Sequence, residues 1–192
     1  MPTRLLVVGS DKIGRGLLAR VGGIPDLAVA VDVSTDLGRV FALLRRGKLR
    51  VRWLLKMALA EFTRPAPAPH AAASIRGNAD LQAFIDAGVR RIYLFRAGLI
   101  VNQTVLASKA EILNVHCAAL PAYGGVGAIP RALCDGAYAQ VATLHRVTER
   151  IDGGEVVDTA SYTLEPSRSY RANEDLAYAT GAALLLKHLR PA

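Results

Sequence analysis

Short, unbroken apolar runs recur along the chain, each followed by a segment with helical spacing. They are "RLLVVG" (Arg4–Gly9), "LAVAVDV" (Leu27–Val33), "RIYLF" (Arg91–Phe95) and "EILNVH" (Glu111–His116). The first two do not alternate polar and apolar residues, so they read as strands covered on both faces. The spacing predicts a Gly-interrupted helix after Gly9 and a long helix from about Asp36 to Phe62, broken near Gly47. It predicts another over Asn78–Gly88, with Asn78 as N-cap and Gly88 as stop. "RPAPAPH" (Arg64–His70) is an extended Pro-rich loop. Ile129–Gly136 starts a helix with a proline near its first turn. Val141–Val147 and Glu155–Leu164 read as later strands, and Tyr170–Leu189 as a closing helix. Strands alternating with helices predict a doubly wound α/β fold with a mostly parallel sheet.

A length of 192 residues fits one domain with a sizeable core. No apolar run reaches the ~18 residues of a membrane span. "MPTRLLVVGS" has no signal-peptide layout. Cys117 and Cys134 have no metal-ligand spacing and suggest no disulfide framework. A cytoplasmic location is therefore expected. The net charge of +8 points to an anionic partner without naming one. Between Arg39 and Lys56 lie seven basic residues and no acidic one. Such a run can be a solvated helix face, or it can meet a phosphate-bearing substrate, nucleic acid or an anionic membrane surface. Trp53 within it could stack on a base, although a lone tryptophan is more often core.

Two groups of residues carry candidate chemistry. "GSDKIGRG" (Gly9–Gly16) feeds a helix N-terminus that can hold phosphate, and Asp32 lies about where a ribose-binding carboxylate would. The glycines do not spell G-x-G-x-x-G, so a plain tight turn carries equal weight. In the second group, Asn114 and His116 stand two apart at a strand end and share a face. Asp152, after the strand holding His145, would return to the same sheet edge on its loop. His145 itself reads as a satisfied core histidine, and His70 and His188 have no assigned role.

From Asn114 onward the sequence resembles the folate-dependent formyltransferases. That family includes glycinamide ribonucleotide transformylase, methionyl-tRNA formyltransferase and the sugar-nucleotide N-formyltransferases. Its signature is N-x-H, L-P-x-Y-x-G, a helix ending in D/N-G, a T-x-H strand and D-x-G. It matches here at Asn114, His116, Leu120, Pro121, Tyr123, Gly125, Gly136, Thr143, His145, Asp152 and Gly154. The resemblance is strong from Phe95 to Val157 and vaguer before it. Cys117 and the "AYGG" stretch depart from the usual residues, and the Gly9 loop lacks the phosphate-gripping string of the purine enzyme.

The resemblance implies a Rossmann-like catalytic domain over 1–192, with a substrate-side half of about 1–90, a catalytic and folate half of about 91–165, and a C-terminal helix of about 170–190. It implies a catalytic trio of Asn114, His116 and Asp152. It implies that 10-formyltetrahydrofolate, used without a metal, lies along Phe95, Arg96, Ala97, Gly98, Leu99 and Ile100 and along Val147, Thr148, Glu149, Arg150 and Ile151. Gly9, Ser10, Asp11, Lys12 and Tyr123 are the expected substrate contacts. The acceptor expected is a primary amine on a small anionic molecule, such as an amino-sugar nucleotide or a specialised metabolite. The chain has no match to the tRNA-holding domain of methionyl-tRNA formyltransferase, so tRNA is not the expected partner. A homodimer through a late edge strand is open. Two rival readings remain: an NAD(P)-binding Rossmann oxidoreductase built on Gly9–Gly16 and Asp32, and a non-catalytic basic module built on Arg39–Lys56.

Overall fold

In the computed structural model, residues 2–34, 45 and 50–190 are described. The four apolar runs form β1 (Arg4–Gly9), β2 (Leu27–Asp32), β4 (Arg91–Phe95) and β5 (Glu111–His116). A three-residue strand, β3 (Ala73–Ile75), pairs with β2, and β6 (Ala139–Arg146) and β7 (Val156–Thr163) follow later in the chain. The helices are α1 (Lys12–Val21), α2 (Val51–Thr63), α3 (Asn78–Asp86), α4 (Gln103–Leu106), α5 (Ala128–Cys134) and α6 (Tyr170–Leu189).

The seven strands make one sheet in the order β3-β2-β1-β4-β5-β6-β7. β3, β2, β1, β4 and β5 are parallel neighbours, whereas β6 and β7 are antiparallel. Alternate residues of each strand enter opposite cores. Leu5, Val7, Ile92 and Ile112 pack with Leu81 and Ile85 of α3 on one face. Leu6, Val8, Tyr93 and Val115 pack with Leu17 of α1 and Leu185 of α6 on the other. The parallel registers bring Gly9, Asp32, Phe95 and His116 to one carboxyl edge.

One reading of the sequence changes here, and one strand was not read from it. Gly77, not Asn78, caps α3, because the Asn78 side chain is engaged elsewhere: it donates to Ile100 O (2.9 Å) and accepts from Asn102 N (2.8 Å). β3 gave no usable signal, since only Ile75 of its three residues is buried. The first half of the long helix from Asp36, break at Gly47 included, falls almost wholly outside the described residues, and its described part ends at Thr63. The Gly9–Gly16 turn is a packed corner. A Cβ on Gly14 would come within 2.9 Å of Gly9 N, and one on Gly9 within 2.6 Å of Arg96 O. Asp11 caps α1 by accepting from Gly14 N at 2.7 Å.

Candidate active site

β5 presents Ile112, Asn114 and His116 to one face of the sheet. Ile112 belongs to the apolar core there, and the polar pair begins where that core ends. Antiparallel pairing sets His145 directly opposite Asn114 and Thr143 opposite His116. Directly paired residues share a face, so His145 joins the polar pair. Asn114 Nδ2 lies 3.1 Å from His145 Nε2. Odd-numbered Cys117 enters the opposite core beside Gly181, where burial pushes its thiol up to about 12.

Asp152 arrives by a route the sequence did not suggest. Because β6 is antiparallel, its end at Arg146 lies opposite Leu113, away from the carboxyl edge. The following loop therefore runs back over the sheet face to reach that edge. It ends with Asp152 in the left-handed region, at φ 51°. Asparagine and aspartate tolerate that region better than other side-chain-bearing residues. Asp152 Oδ2 accepts from Gly125 N at 2.7 Å and lies 3.5 Å from His116 Nδ1, while Oδ1 lies 3.4 Å from His145 Nε2. A Cβ on Gly124 would stand 3.3 Å from Asp152 Cβ, so the small residue permits this approach.

Hydrogen-bond partners assign the ring protons. His116 Nε2 lies 2.7 Å from Tyr123 O, a carbonyl that only accepts, so Nε2 carries the proton. The lone pair of the neutral ring is then on Nδ1, toward Asp152. His145 Nδ1 likewise donates to Arg146 O at 3.0 Å, which leaves Nε2 to accept from Asn114. Burial lowers the His116 imidazole by more than the Asp152 charge and the Tyr123 carbonyl raise it. A ring lowered in this way favours its neutral form. Burial works to raise the Asp152 carboxyl, but His145, His116 and the Gly125 N–H outweigh it and hold it at about 2.

These groups sit in a cavity of about 1160 Å³, also lined by the 97–101 and 147–151 segments, by Arg131 and by Arg50, Trp53 and Met57. Asp32 shapes one wall. It is 3% exposed and accepts from Gly98 N (2.6 Å), Leu99 N (2.8 Å) and Ser34 N (2.8 Å). It is a backbone clamp, so the ribose role suggested for it is withdrawn. Asp32→Ala strips an acceptor from buried backbone donors, at about 1–3 kcal/mol for each one left unsatisfied. The expected result is a lower Tm together with a weaker grip on a folate analogue, checked by thermal melts with and without that ligand.

The Formyl transferase family model matches residues 74–180, more than half of the chain. The chain belongs to the formyl transferase family. It is 30% identical over 118 residues to methionyl-tRNA formyltransferase of Phenylobacterium zucineum, covering 61% of this chain and 38% of that enzyme. It is 25% identical over 191 residues to the Streptococcus suis enzyme, covering 97% of this chain and 58% of that enzyme. It thus spans well under two thirds of these relatives' length. Glycinamide ribonucleotide transformylase 1 from Geobacillus kaustophilus has the same fold, with a TM-score of 0.64, 21% identity and coverage of 99% and 98%. So has an N-formyltransferase from Helicobacter canadensis in complex with folinic acid and dTDP-3-aminofucose, with a TM-score of 0.62, 18% identity and coverage of 98% and 63%.

In this formyltransferase chain the three residues of the expected trio do converge. Ala97–Ile100 and Val147–Ile151 line the cavity with them. Phe95 does not share its role: its ring is 1% exposed on the opposite face, edge-on to Tyr178 at 6.0 Å. Arg96 lines the cavity as well, its side chain held by Asp11 (2.6 Å) and over the Tyr178 ring (4.1 Å). Gly9, Ser10, Asp11, Lys12 and Tyr123 are not among the cavity-lining residues. Lys12 Nζ donates to Phe62 O (3.0 Å) and Arg64 O (2.6 Å), and Tyr123 acts through the carbonyl that holds His116. Trp53 is half-buried at the cavity wall, not core. His145 is the residue that sequence reasoning missed. It is buried at 2% exposure, as a core histidine would be, and the available signal was its place in the T-x-H strand.

Proposed function

We propose that the chain is an N-formyltransferase that moves the formyl group of 10-formyltetrahydrofolate to a primary amine of a small anionic acceptor. The observation that carries this reading is the meeting of Asn114, His116 and Asp152 on one cavity wall. Attack of a neutral amine on the formyl carbon forms a C–N bond and places negative charge on the formyl oxygen. An Asn114 N–H can donate to that oxygen, a contribution of about 2.7–4 kcal/mol in comparable sites. As the amine becomes cationic, its proton passes to His116 Nδ1 or to Asp152, directly or through one water. The imidazolium so formed lies beside the Asp152 carboxylate and can also donate to the oxygen. Collapse breaks the bond to N10 of the folate, which takes the proton back.

An amino-sugar nucleotide or a specialised metabolite is the acceptor class preferred. The dTDP-3-aminofucose complex of the Helicobacter canadensis enzyme supports a sugar-nucleotide acceptor by analogy of fold. Arg50 and Arg131 at the cavity wall support an anionic one, in place of the Ser10–Lys12 dock first expected. The oxidoreductase reading loses its support, because Asp32 and the Gly9–Gly16 turn serve packing and backbone contacts. The test is incubation with 10-formyltetrahydrofolate and a panel of amines, followed by mass analysis. A formylated product supports the reading. No product with any amine, and no thermal shift with a folate analogue, would sink it.

The charge state gives a separate expectation. His116 should titrate below its ordinary 6.5, followed by its ring proton resonance against a His116→Gln control. Because the folded value is depressed, the stability it contributes is present above 6.5 and declines as pH falls. Asp152 adds stability that is complete above its ordinary 3.8 and lost as pH falls through about 2. A His116 midpoint above 6.5 would mean that Asp152 outweighs burial.

A further inference from the structure

α2 carries apolar residues outward. Val51, Leu55, Leu59 and Phe62 are 62%, 65%, 62% and 82% exposed. Their spacing places them on one stripe, roughly 80° wide and about 17 Å long. Arg52 and Lys56 are exposed along one side of it, and Arg50 and Arg45 are exposed before it. Trp53 and Met57 point the other way, to the cavity. Ala60 is the one buried hydrophobic residue of α2. The helix is held instead by polar ties at its C-terminal end. Glu61 accepts from Lys12 N at 2.8 Å, Arg171 donates to Thr63 O at 2.9 Å, and Arg64 reaches Glu174 and Asp175 at 3.0 and 2.7 Å. These ties fix α2 in place without covering its stripe.

We propose that this face of α2 docks on an anionic phospholipid surface, with the helix lying in the interface plane. The charge pattern selects that occupant. No acidic side chain occurs from Arg39 to Lys56, and Glu61 is already paired with Arg64. A second copy laid on the stripe by two-fold symmetry would bring Arg52 and Lys56 against their own equivalents. A lipid surface instead takes apolar side chains and gathers basic ones at its headgroups, with the long stems of Arg and Lys lying along the boundary. No helix among the described residues is long and apolar enough to cross a membrane, so the contact is peripheral. The docked helix also borders the cavity, which would open beside the lipid headgroups. The inference is independent of the formyl-transfer reading.

The test is co-sedimentation of the whole chain with vesicles of phosphatidylcholine alone or mixed equally with phosphatidylglycerol. Leu55→Trp serves as a reporter on the stripe, since the native Trp53 lies on the cavity side. Expected are binding to the mixed vesicles alone, weakening with salt, and a blue-shifted component in Leu55→Trp emission. Leu55→Asp with Leu59→Asp should weaken binding by about tenfold or more with an unchanged Tm, since a charge inside the apolar stripe opposes insertion. No sedimentation, equal binding to neutral vesicles, or undiminished binding by the double variant would overturn the proposal. So would an equal spectral shift with soluble polyglutamate, which points to an acidic protein. A dimer that Leu55→Asp dissociates would assign the stripe to a second copy and overturn it equally.

Discussion

Asp152→Asn is expected to lower kcat for formyl transfer by about 100-fold or more, the scale of a lost proton acceptor in a comparable site. The amide keeps the shape of the side chain and can still accept from Gly125 N, so the loop should stay in place. What it loses is the negative charge beside His116 and the capacity to take a proton. Asn114→Ala and His116→Ala should cost about as much, because the first removes an N–H donor to the formyl oxygen and the second the ring that takes up the amine proton. The three act as one unit. The double variant Asn114→Ala with Asp152→Asn should therefore fall little below the worse single variant. His145→Ala should cost less, since its ring touches Asn114 and Asp152 and no reacting atom. Stopped-time assays following formylated product measure all of these. Near-native kcat in Asp152→Asn would remove Asp152 from the chemistry.

Gly154→Ala is expected to destabilise the fold by about 1–3 kcal/mol, the cost typical of forcing an atom into a packed site. A Cβ at Gly154 would stand 2.9 Å from the Arg146 carbonyl carbon and closer still to its oxygen. Arg146 ends β6, and its N–H donates to Glu155 O at 2.9 Å, so the loop closes on itself just there. That closure sets the direction in which Asp152 is presented. The same substitution should therefore also lower kcat, while Gly16→Ala, with open space around it, should leave kcat unchanged. The expected loss of Tm is about 2–4 °C per kcal/mol for a chain of this size. An unchanged Tm and full activity would show that the loop can relax around the added methyl group.

The strands and their order of appearance were legible, because four apolar runs too short for helices stood between turn residues. β1, β4 and β5 match those runs residue for residue. The shared face of Asn114 and His116 was legible for the same reason, since a strand's alternation depends on backbone geometry alone. So was the opposite placement of Cys117.

Other features depended on contacts between distant segments. Antiparallel pairing of β5 with β6 put His145 opposite Asn114 and sent the Asp152 loop over the sheet face. Strand direction does not appear in a hydrophobic pattern, so the path by which that loop reaches the edge was not legible. Asp32 looked like a ligand carboxylate until the 98–99 backbone closed on it, and Lys12 like an anion site until the end of α2 took its ammonium. In both cases a polar side chain is claimed by whichever donor or acceptor folding brings near. The charge of His116 followed the same logic, because burial outweighed its neighbour and burial belongs to the folded whole. The sequence by itself thus determined where the main strands and helices form and which residues share a strand face, since those follow from local backbone geometry. Only the tertiary structure decided which polar groups remain available for chemistry, since that depends on the partners folding supplies.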